Sequence, residues 1–478
     1  MKLSEIASTL REIRVVPVKT LGQNFLHDQN LARWMVEQAG ISAADFVLEI
    51  GPGLGAITEP ALDSEANVLA IEKDRRLADF LRTRFASRRC EIIHGDALDF
   101  EARRLFPVRP VKLLGNLPYN VATQLLLQYF EYPTCIELAV LMLQKEVAAR
   151  LSAAPRSKDY GILTLVVQLQ CRVEYLRTIP ASVFLPPPEV DSAFVRLRPR
   201  LPNELPDHDR NLLLSLVRRG FSQRRKQLGK LLKEQLTDWP SIAHEIGASV
   251  TARAEELSLE QWIALANLIQ PAKARTTGTD TDEQFAVVDE MDRVIGSARR
   301  REVHGNNLRH RAVHIFIFNP AGELLLQKRS RWKDRDPNLW DSSAAGHVGA
   351  GEDYDETAAR ELHEELEISA ALTPVAQLPA SEKTGGEFIW LYRGEHGGPF
   401  VPCTAEIDAV QFFAPEAIAR WVDERPEDFA PGFIECWRIF RLRNEPRSRS
   451  TLPLHLREED RLCIISRPNF PVRNDCSQ

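Results

Sequence analysis

The sequence predicts two α/β domains in one chain. The first is a parallel, Rossmann-like sheet with a small helical basic subdomain, and the second is a separate α/β fold. Three observations predict this. Over residues 45–127 the short apolar runs "FVLEI", "NVLAIE", "CEIIHG" and "VKLLGN" alternate with helical stretches, the pattern of a parallel sheet. The stretch "PAKARTTGTDTDE" (271–283) is polar and small, with no hydrophobic period, as in a linker. A second strand-and-helix pattern then begins at "QFAVVDEMDRVIG" and lasts to about residue 444. At 478 residues and 44% hydrophobic, the chain can bury more than one core.

These signals place the first α/β domain at 1–200 and close it with the Pro-rich "VFLPPPEVDSAFVRLRP". A helical, basic subdomain follows at 201–270, then the linker at 271–282 and the second domain at 283–444. The tail at 445–478 is Arg/Pro/Ser-rich at first and reads as partly disordered, and no internal repeat is present. Residues 1–270 carry 34 Lys/Arg against 32 Asp/Glu, a net +2; residues 271–478 carry 27 against 35, a net −8. Within the first part, residues 191–230 alone reach +6, with 10 basic against 4 acidic side chains, so a local basic patch leaves a polyanionic partner open. Seven cysteines lie far apart without a CxxC pair, which argues against a zinc site or disulfide framework and fits reduced thiols in a cytosol. No apolar run of membrane-spanning length occurs, and "MKLSEIASTLREIRVV" lacks the core of a secretory signal. The expectation is therefore a cytoplasmic protein with no membrane partner.

The first chemical constellation begins at "VLEIGPGLGAIT", where a strand, a glycine-rich turn (Gly51, Gly53, Gly55) and a helix start form one unit. Glycines there let the backbone approach a ligand, although such turns also serve packing. Glu72 ends the next strand, where a carboxylate can accept both hydroxyls of a ribose, and Asp96 ends a third, within reach of an adenine amine. Each alone is more often a solvated strand end or a cap; three in register point to an adenosine site. A dinucleotide dehydrogenase would satisfy this much. "GNLPYN" decides against it. An adenine amine is a poor nucleophile because its lone pair is delocalised into the ring. If the Asn116 side-chain carbonyl and the backbone carbonyl of Leu117 or Pro118 accept its two N–H bonds, the nitrogen becomes more tetrahedral and can face a methyl sulfonium. Tyr119 then offers a face for stacking.

Residues 1–270 resemble the small-subunit ribosomal RNA adenine dimethyltransferases. The resemblance is carried by "LGQNFLHD", "LEIGPGLGAIT", "AIEKD", "GDAL", "GNLPYN", "MLQKEVAARL", "SKDYG", "FLPPPEVDSAFVRL" and "FSQRRKQLGKLL". It implies S-adenosylmethionine as donor and two adjacent adenines of a small-subunit rRNA hairpin as acceptors. By position, Asn24, Leu26, Gly51, Glu72, Asp96 and Asn116 should line the cofactor, and Phe184 should be a second stacking aromatic opposite Tyr119. "RRGFSQRRKQLGK" then acquires a role: Arg218, Arg219, Arg224, Arg225, Lys226 and Lys230 are six basic residues in thirteen. Beside a base-handling pocket they are candidates for RNA phosphates rather than a merely solvated face.

In "GHVGAGEDYDETAARELHEELEI" (346–368), Glu361, Glu364 and Glu365 fall at i, i+3 and i+4 of one helix and are expected to share a face. Unpaired, they would weaken the helix; together they suit Mg²⁺. The spacing resembles the Nudix box, with Gly346, Glu352, Arg360 and Glu361 in place. Glu367 stands where the box usually has glycine, which leaves the helix exit open. The resemblance implies Mg²⁺-dependent attack of water on a diphosphate small molecule, with Glu365 central. "VVDEMDRVIGSARRREVH", "LRHRAVHIFIFN" and "LLLQKRS" look like the branch shared by isopentenyl diphosphate isomerase and its hydrolase relatives. His310 and His347 match isomerase metal-ligand positions, but the catalytic cysteine is replaced by Ala345, which favours hydrolysis over the isomerase alternative. Glu387 and Glu406 are candidates for an extra ligand or base, each individually more typical of a surface glutamate. The rivals from another class are a ribosome-assembly factor for the first half, with the assembling small subunit as partner, and a non-catalytic ligand sensor for the second.

Overall fold

The computed structural model describes residues 1–18, 22–108, 110–118, 121–201, 204–236, 238–270, 283–331, 333 and 335–444. Tyr119, the linker expected over 271–282 and the tail expected over 445–478 lie outside them. The chain divides into two compact units, Met1–Lys273 and Ala274–Gln478, and both are α/β.

In the first unit the strands are β1 (Phe25–Leu26), β2 (Phe46–Ile50), β3 (Asn67–Glu72), β4 (Cys90–His94), β5 (Val111–Asn116), β6 (Ile136–Gln144), β7 (Cys171–Ile179), β8 (Phe184–Leu185) and β9 (Ser192–Pro199). Seven of them form one sheet in the order β4-β3-β2-β5-β6-β9-β7. β4 through β6 are parallel, which explains their near-continuous apolar sequences, and β9 and β7 are antiparallel additions. The order reverses between β2 and β5, and a crevice at such a switch point is where open α/β sheets bind ligands. Helices Arg210–Phe221, Trp239–Glu245 and Leu259–Ile269 close over their own core of Leu213, Leu216, Val217, Trp262 and Ile263. Gly220 is obligatory there, because a Cβ would stand 2.6 Å from the Trp262 ring.

In the second unit the strands are β10 (Gln284–Val288), β11 (Val294–Arg299), β12 (His310–Phe318), β13 (Leu324–Arg329), β14 (Trp340–Asp341), β15 (Ala344–His347), β16 (Thr373–Leu378), β17 (Glu387–Glu395) and β18 (Ile407–Phe413). β12 is the hub, pairing with β10, β13, β15 and, in parallel, β17. Its alternation serves two faces. Val313, Ile315 and Ile317 pack with Ala358, Leu362 and Leu366 of the helix Tyr354–Leu366. On the other face Phe316 meets Phe433, Trp437 and Phe440 of the helix Pro431–Asn444 at ring separations of 5.5–6.2 Å. Among the described residues no helix is long and apolar enough to cross a membrane.

Candidate functional sites

At the switch point β2 and β5 run in register, Ile50 opposite Gly115, so the residues that follow each strand meet. Gly51 has φ +66°, and a Cβ there would lie 3.7 Å from the Asn116 carbonyl oxygen. A pocket opens beside them, walled by Asn24, Gly51, Gly53, Glu72, Asp96 and Asn116, together with Pro118. Five of the six positions expected for a cofactor therefore converge. Leu26 does not: β1 pairs with β8, Leu26 opposite Phe184, and both side chains enter the core. Phe184 is only 2% exposed and is not part of the wall. Sequence reasoning missed Phe25 and Lys73, which do line the pocket; a Cβ on Gly53 would sit 3.1 Å from the Phe25 ring.

Glu72 is buried and accepts hydrogen bonds from the Gly53 N–H (3.0 Å) and the Asp74 N–H (2.9 Å). Burial nonetheless pushes its carboxyl up to about 7, with those N–H donors pulling the other way. Asp96 caps the short turn Ala97–Asp99 through Leu98 N–H and pairs with Lys73 at 2.5 Å. Burial raises its carboxyl, but the hydrogen bonds from Lys73 and the Leu98 N–H and the Lys73 charge together outweigh it, and the net shift is downward. Asn116 donates through Nδ2 to the Asn24 carbonyl at 3.0 Å, which leaves Oδ1 as an acceptor. The Pro118 carbonyl already accepts the Val121 and Ala122 N–H groups. Leu117 is buried, and no described residue donates to its carbonyl.

The six basic positions are all exposed but not equivalent. Arg219 pairs with Glu234 at 3.1 Å and Arg224 with Glu255 at 2.9 Å. Arg218, Arg225, Lys226 and Lys230 form no ion pair among the described residues.

In the second unit the three glutamates do not share one environment, contrary to the helical-wheel expectation. Glu365 is 4% exposed and accepts from the Ala345 N–H (3.1 Å) and Gln327 Nε2 (3.2 Å). Glu361 is tucked against Gly346, where a Cβ would fall 2.0 Å from its carboxyl carbon. Glu364 is 57% exposed. Arg360 ties Glu352, Glu361 and Glu364 together at 2.9–3.1 Å. Burial pushes Glu361 up to about 7, and burial with the facing Glu361 holds Glu365 well above the carboxylate range. Two desolvated carboxyls lining one cavity are a donor set suited to a hard cation.

Glu387 and Glu406 are not surface glutamates: both line the same cavity, of ≈ 590 Å³. Glu406 pairs with Lys333. Glu387 lies 3.3 Å from His347 Nε2 and 3.5 Å from His310 Nε2. Burial raises the Glu387 carboxyl, but the two ring nitrogens bring it well below its usual range. His304, from the helix Arg300–Gly305, completes the group, and one ring nitrogen from each of His304, His310 and His347 falls within 4.8 Å of the others. His304 Nε2 and His310 Nε2 are buried without a hydrogen-bond partner. Burial pushes His304 down to about 4 and His347 to about 3, so both rings are neutral at pH 7, as imidazole ligands must be. Sequence reasoning had two of these histidines. His304, in "REVHGNNLRH", was the signal within reach.

The parallel sheet with its pocket at the switch point defines the first unit as a doubly wound α/β domain; the box helix over a mixed sheet is a NUDIX domain, whose model matches residues 308–433. Through its first part the chain belongs to the ribosomal RNA adenine dimethylase family, whose model matches residues 18–271. It is 40% identical over 259 residues to a ribosomal RNA small subunit methyltransferase A of Alcanivorax borkumensis, a match covering 53% of this chain and 90% of that protein. A Shewanella protein of the same description is 41% identical over 253 residues, covering 52% and 94%. Among solved structures, a dimethyladenosine transferase from Plasmodium falciparum matches 50% of this chain and 95% of its own, at 24% identity and a TM-score of 0.42.

Proposed function

We propose that the first unit uses S-adenosylmethionine to dimethylate the N6 amines of two adjacent adenines in a small-subunit rRNA hairpin. The observation that carries this is Asn116: its Nδ2 is held by Asn24, so its Oδ1 is oriented as an acceptor at the pocket rim. Glu72 would hold the ribose and Asp96 the adenine amine of the cofactor, which supplies an electrophilic methyl group. Asn116 Oδ1 and the Leu117 carbonyl accept the two N–H bonds of the target amine, localising its lone pair and aiming it. As the N–C bond forms the methyl–sulfur bond would break and the thioether leave, and the methylated amine would shed one proton to water or a backbone group, so orientation carries most of the rate and no strong base is needed. Release of labelled methyl into unmethylated small-subunit particles tests the reading; wild-type protein that leaves them unlabelled refutes it.

For the second unit we propose hydrolysis of a diphosphate-containing small molecule. Mg²⁺ would be held by Glu361 and Glu365, with Glu364 at the open edge, and would polarise a phosphoryl oxygen. Arg300, Arg329, Lys333 and Arg335 line the cavity and would face the diphosphate, Arg329 and Lys333 as members of pairs with Asp341 and Glu406. The His304–His310–His347–Glu387 group favours a second reading, the isomerase, whose resemblance implies a metal at that place. Ala345 weighs against it, since no thiol is there to move a proton at carbon. Incubation with isopentenyl diphosphate and Mg²⁺ separates the two: hydrolysis of at least one diphosphate compound and no dimethylallyl isomer is expected, and robust isomerisation overturns the hydrolase reading.

A further inference from the structure

His314 stands in mid-β12, opposite Ala345 of β15. Its neighbours Val313 and Ile315 pack toward the box helix, so the His314 ring stands on the other face of the sheet. It is 6% exposed, with Nδ1 2.7 Å from Ser342 Oγ. The Ser342 hydroxyl has no other acceptor among the described residues, so it donates to Nδ1 and the ring proton resides on Nε2. Nε2 has no partner among the described residues, and the residue lines the diphosphate cavity. The nearest carboxylate, Asp341, lies 3.7 Å from Nδ1, but its charge is already met by Arg329 at 2.8 Å.

The ring reaches the start of the Pro431–Asn444 helix, where a Cβ on Gly432 would be 3.1 Å from Nε2. That helix begins without a cap. Ala430 has no side-chain acceptor and gives its own N–H to the Trp340 carbonyl, and Pro431 has no N–H. The N–H groups of Gly432 and Phe433 find no partner among the described residues. Ala430, Pro431 and Gly432 all line the cavity. The open start of a fourteen-residue helix and an unmatched N–H on a buried imidazole thus point at one place, which is the chemistry of an oxyanion site.

The position fits one ligand. Ala345, directly opposite His314, gives its N–H to Glu365, and His314, Gly432, Glu361 and Glu365 all line one cavity. We propose that His314 Nε2 and the open amides of Gly432 and Phe433 form a phosphate subsite that holds the phosphoryl group of the diphosphate remote from the acidic helix. This rests on the diphosphate reading of the cavity.

The test uses the full chain in chelator-containing buffer, so that binding is read apart from hydrolysis. Inorganic pyrophosphate is titrated while the ring Cε1–H resonance of His314, assigned by its loss in His314→Gln, is followed. A saturable shift is expected, with no comparable shift from malonate. Ala430→Asp, which supplies the missing cap and repels an anion, should weaken binding at this site roughly ten- to a hundredfold while keeping or raising the Tm. If Ala430→Asp does not fold, His314→Gln decides by calorimetry, with a weakening in the same range. Unchanged affinity in the folded variants, or an equal response to malonate, overturns the subsite. Absence of any diphosphate hydrolysis by the wild type with Mg²⁺ would instead refute the hydrolase reading and leave the subsite result standing.

Discussion

Asn116 and Asn24 are 92 residues apart in sequence and joined by one hydrogen bond, Nδ2 to the Asn24 carbonyl at 3.0 Å. That bond fixes the sense of the amide, so Oδ1 rather than Nδ2 is free for an incoming amine. Asn116→Ala should therefore lower methyl transfer by about 10²–10³, the usual cost of removing one oriented hydrogen-bonding group at a reacting centre. Incorporation of labelled methyl into unmethylated small-subunit particles measures it. Turnover at the wild-type rate would remove Asn116 from the proposed role.

Charge reversal of Arg225 and Lys226 together should weaken RNA binding and reduce the log–log salt slope by roughly 0.7–0.9 for each phosphate no longer neutralised. Arg219 and Arg224 are engaged with Glu234 and Glu255, so the same change there should alter the slope less. Binding titrations at several salt concentrations compare the pairs. Equal slopes for wild type and the Arg225/Lys226 variant would make these residues a solvated face.

Glu49 ends its side chain inside the first core, with Thr58 donating to one oxygen at 2.7 Å and the other oxygen unpartnered. Burial pushes its carboxyl up to about 8 from an ordinary value near 4.5. The folded state then binds the proton more tightly than the unfolded one. Stability of the first unit should fall as pH rises from about 4.5 to 8 and level off above, by an amount on the order of a few kcal/mol. Glu49→Gln should flatten that dependence whatever it does to absolute stability. Denaturation at a series of pH values measures it, and parallel curves for the two proteins would contradict the assignment.

The pieces legible in the sequence are those set by one strand end each. Gly51, Glu72, Asp96 and Asn116 follow short apolar runs, and a parallel sheet brings such ends to one edge whatever the helices between them do. What stayed hidden depends on contacts remote in sequence. Phe184 looked like a stacking ring, but pairing of Phe184 with Leu26 turned it into the core. Glu387 looked solvated until β17 aligned it with His310 on β12. Charge counting likewise could not tell Arg224 from Arg225, because only folding brings Glu255 to the first of them.

Glu367 resolves the departure from the Nudix pattern. It follows the box helix with φ 54° and ψ 34°, and its N–H bonds the His363 carbonyl. The helix thus exits through the left-handed turn that glycine would favour, and a side-chain-bearing residue is strained there. That conformation costs roughly 1–2 kcal/mol for such a residue, against roughly 0.5–1 for the added freedom of glycine in the unfolded chain. Glu367→Gly should stabilise the second unit by about 0.5–1 kcal/mol, read from the midpoint of its transition in urea. A destabilised variant would mean the Glu367 side chain contributes more than its backbone strain removes.

Glu365→Gln separates metal binding from folding. In the metal-free chain a buried Glu365 facing Glu361 is held well above its usual range, so its charged form is costly. Glutamine imitates the protonated acid and can still accept from the Ala345 N–H and Gln327 through its amide oxygen. Without Mg²⁺, the variant's second unit should be as stable as the wild type's, or more so. With Mg²⁺, the wild type should gain Tm and the variant should gain little, because a ligand that binds only the folded state stabilises in proportion to its affinity. Diphosphate hydrolysis should fall by about tenfold or more, since one ligand charge is gone. Methyl transfer should be unchanged, because the pocket that holds Asn116 is built from a separate core. The decisive comparison is the Mg²⁺-dependent rise in Tm. An equal rise in both proteins would place the cation elsewhere, with the His304–His310–His347 group the first position to test.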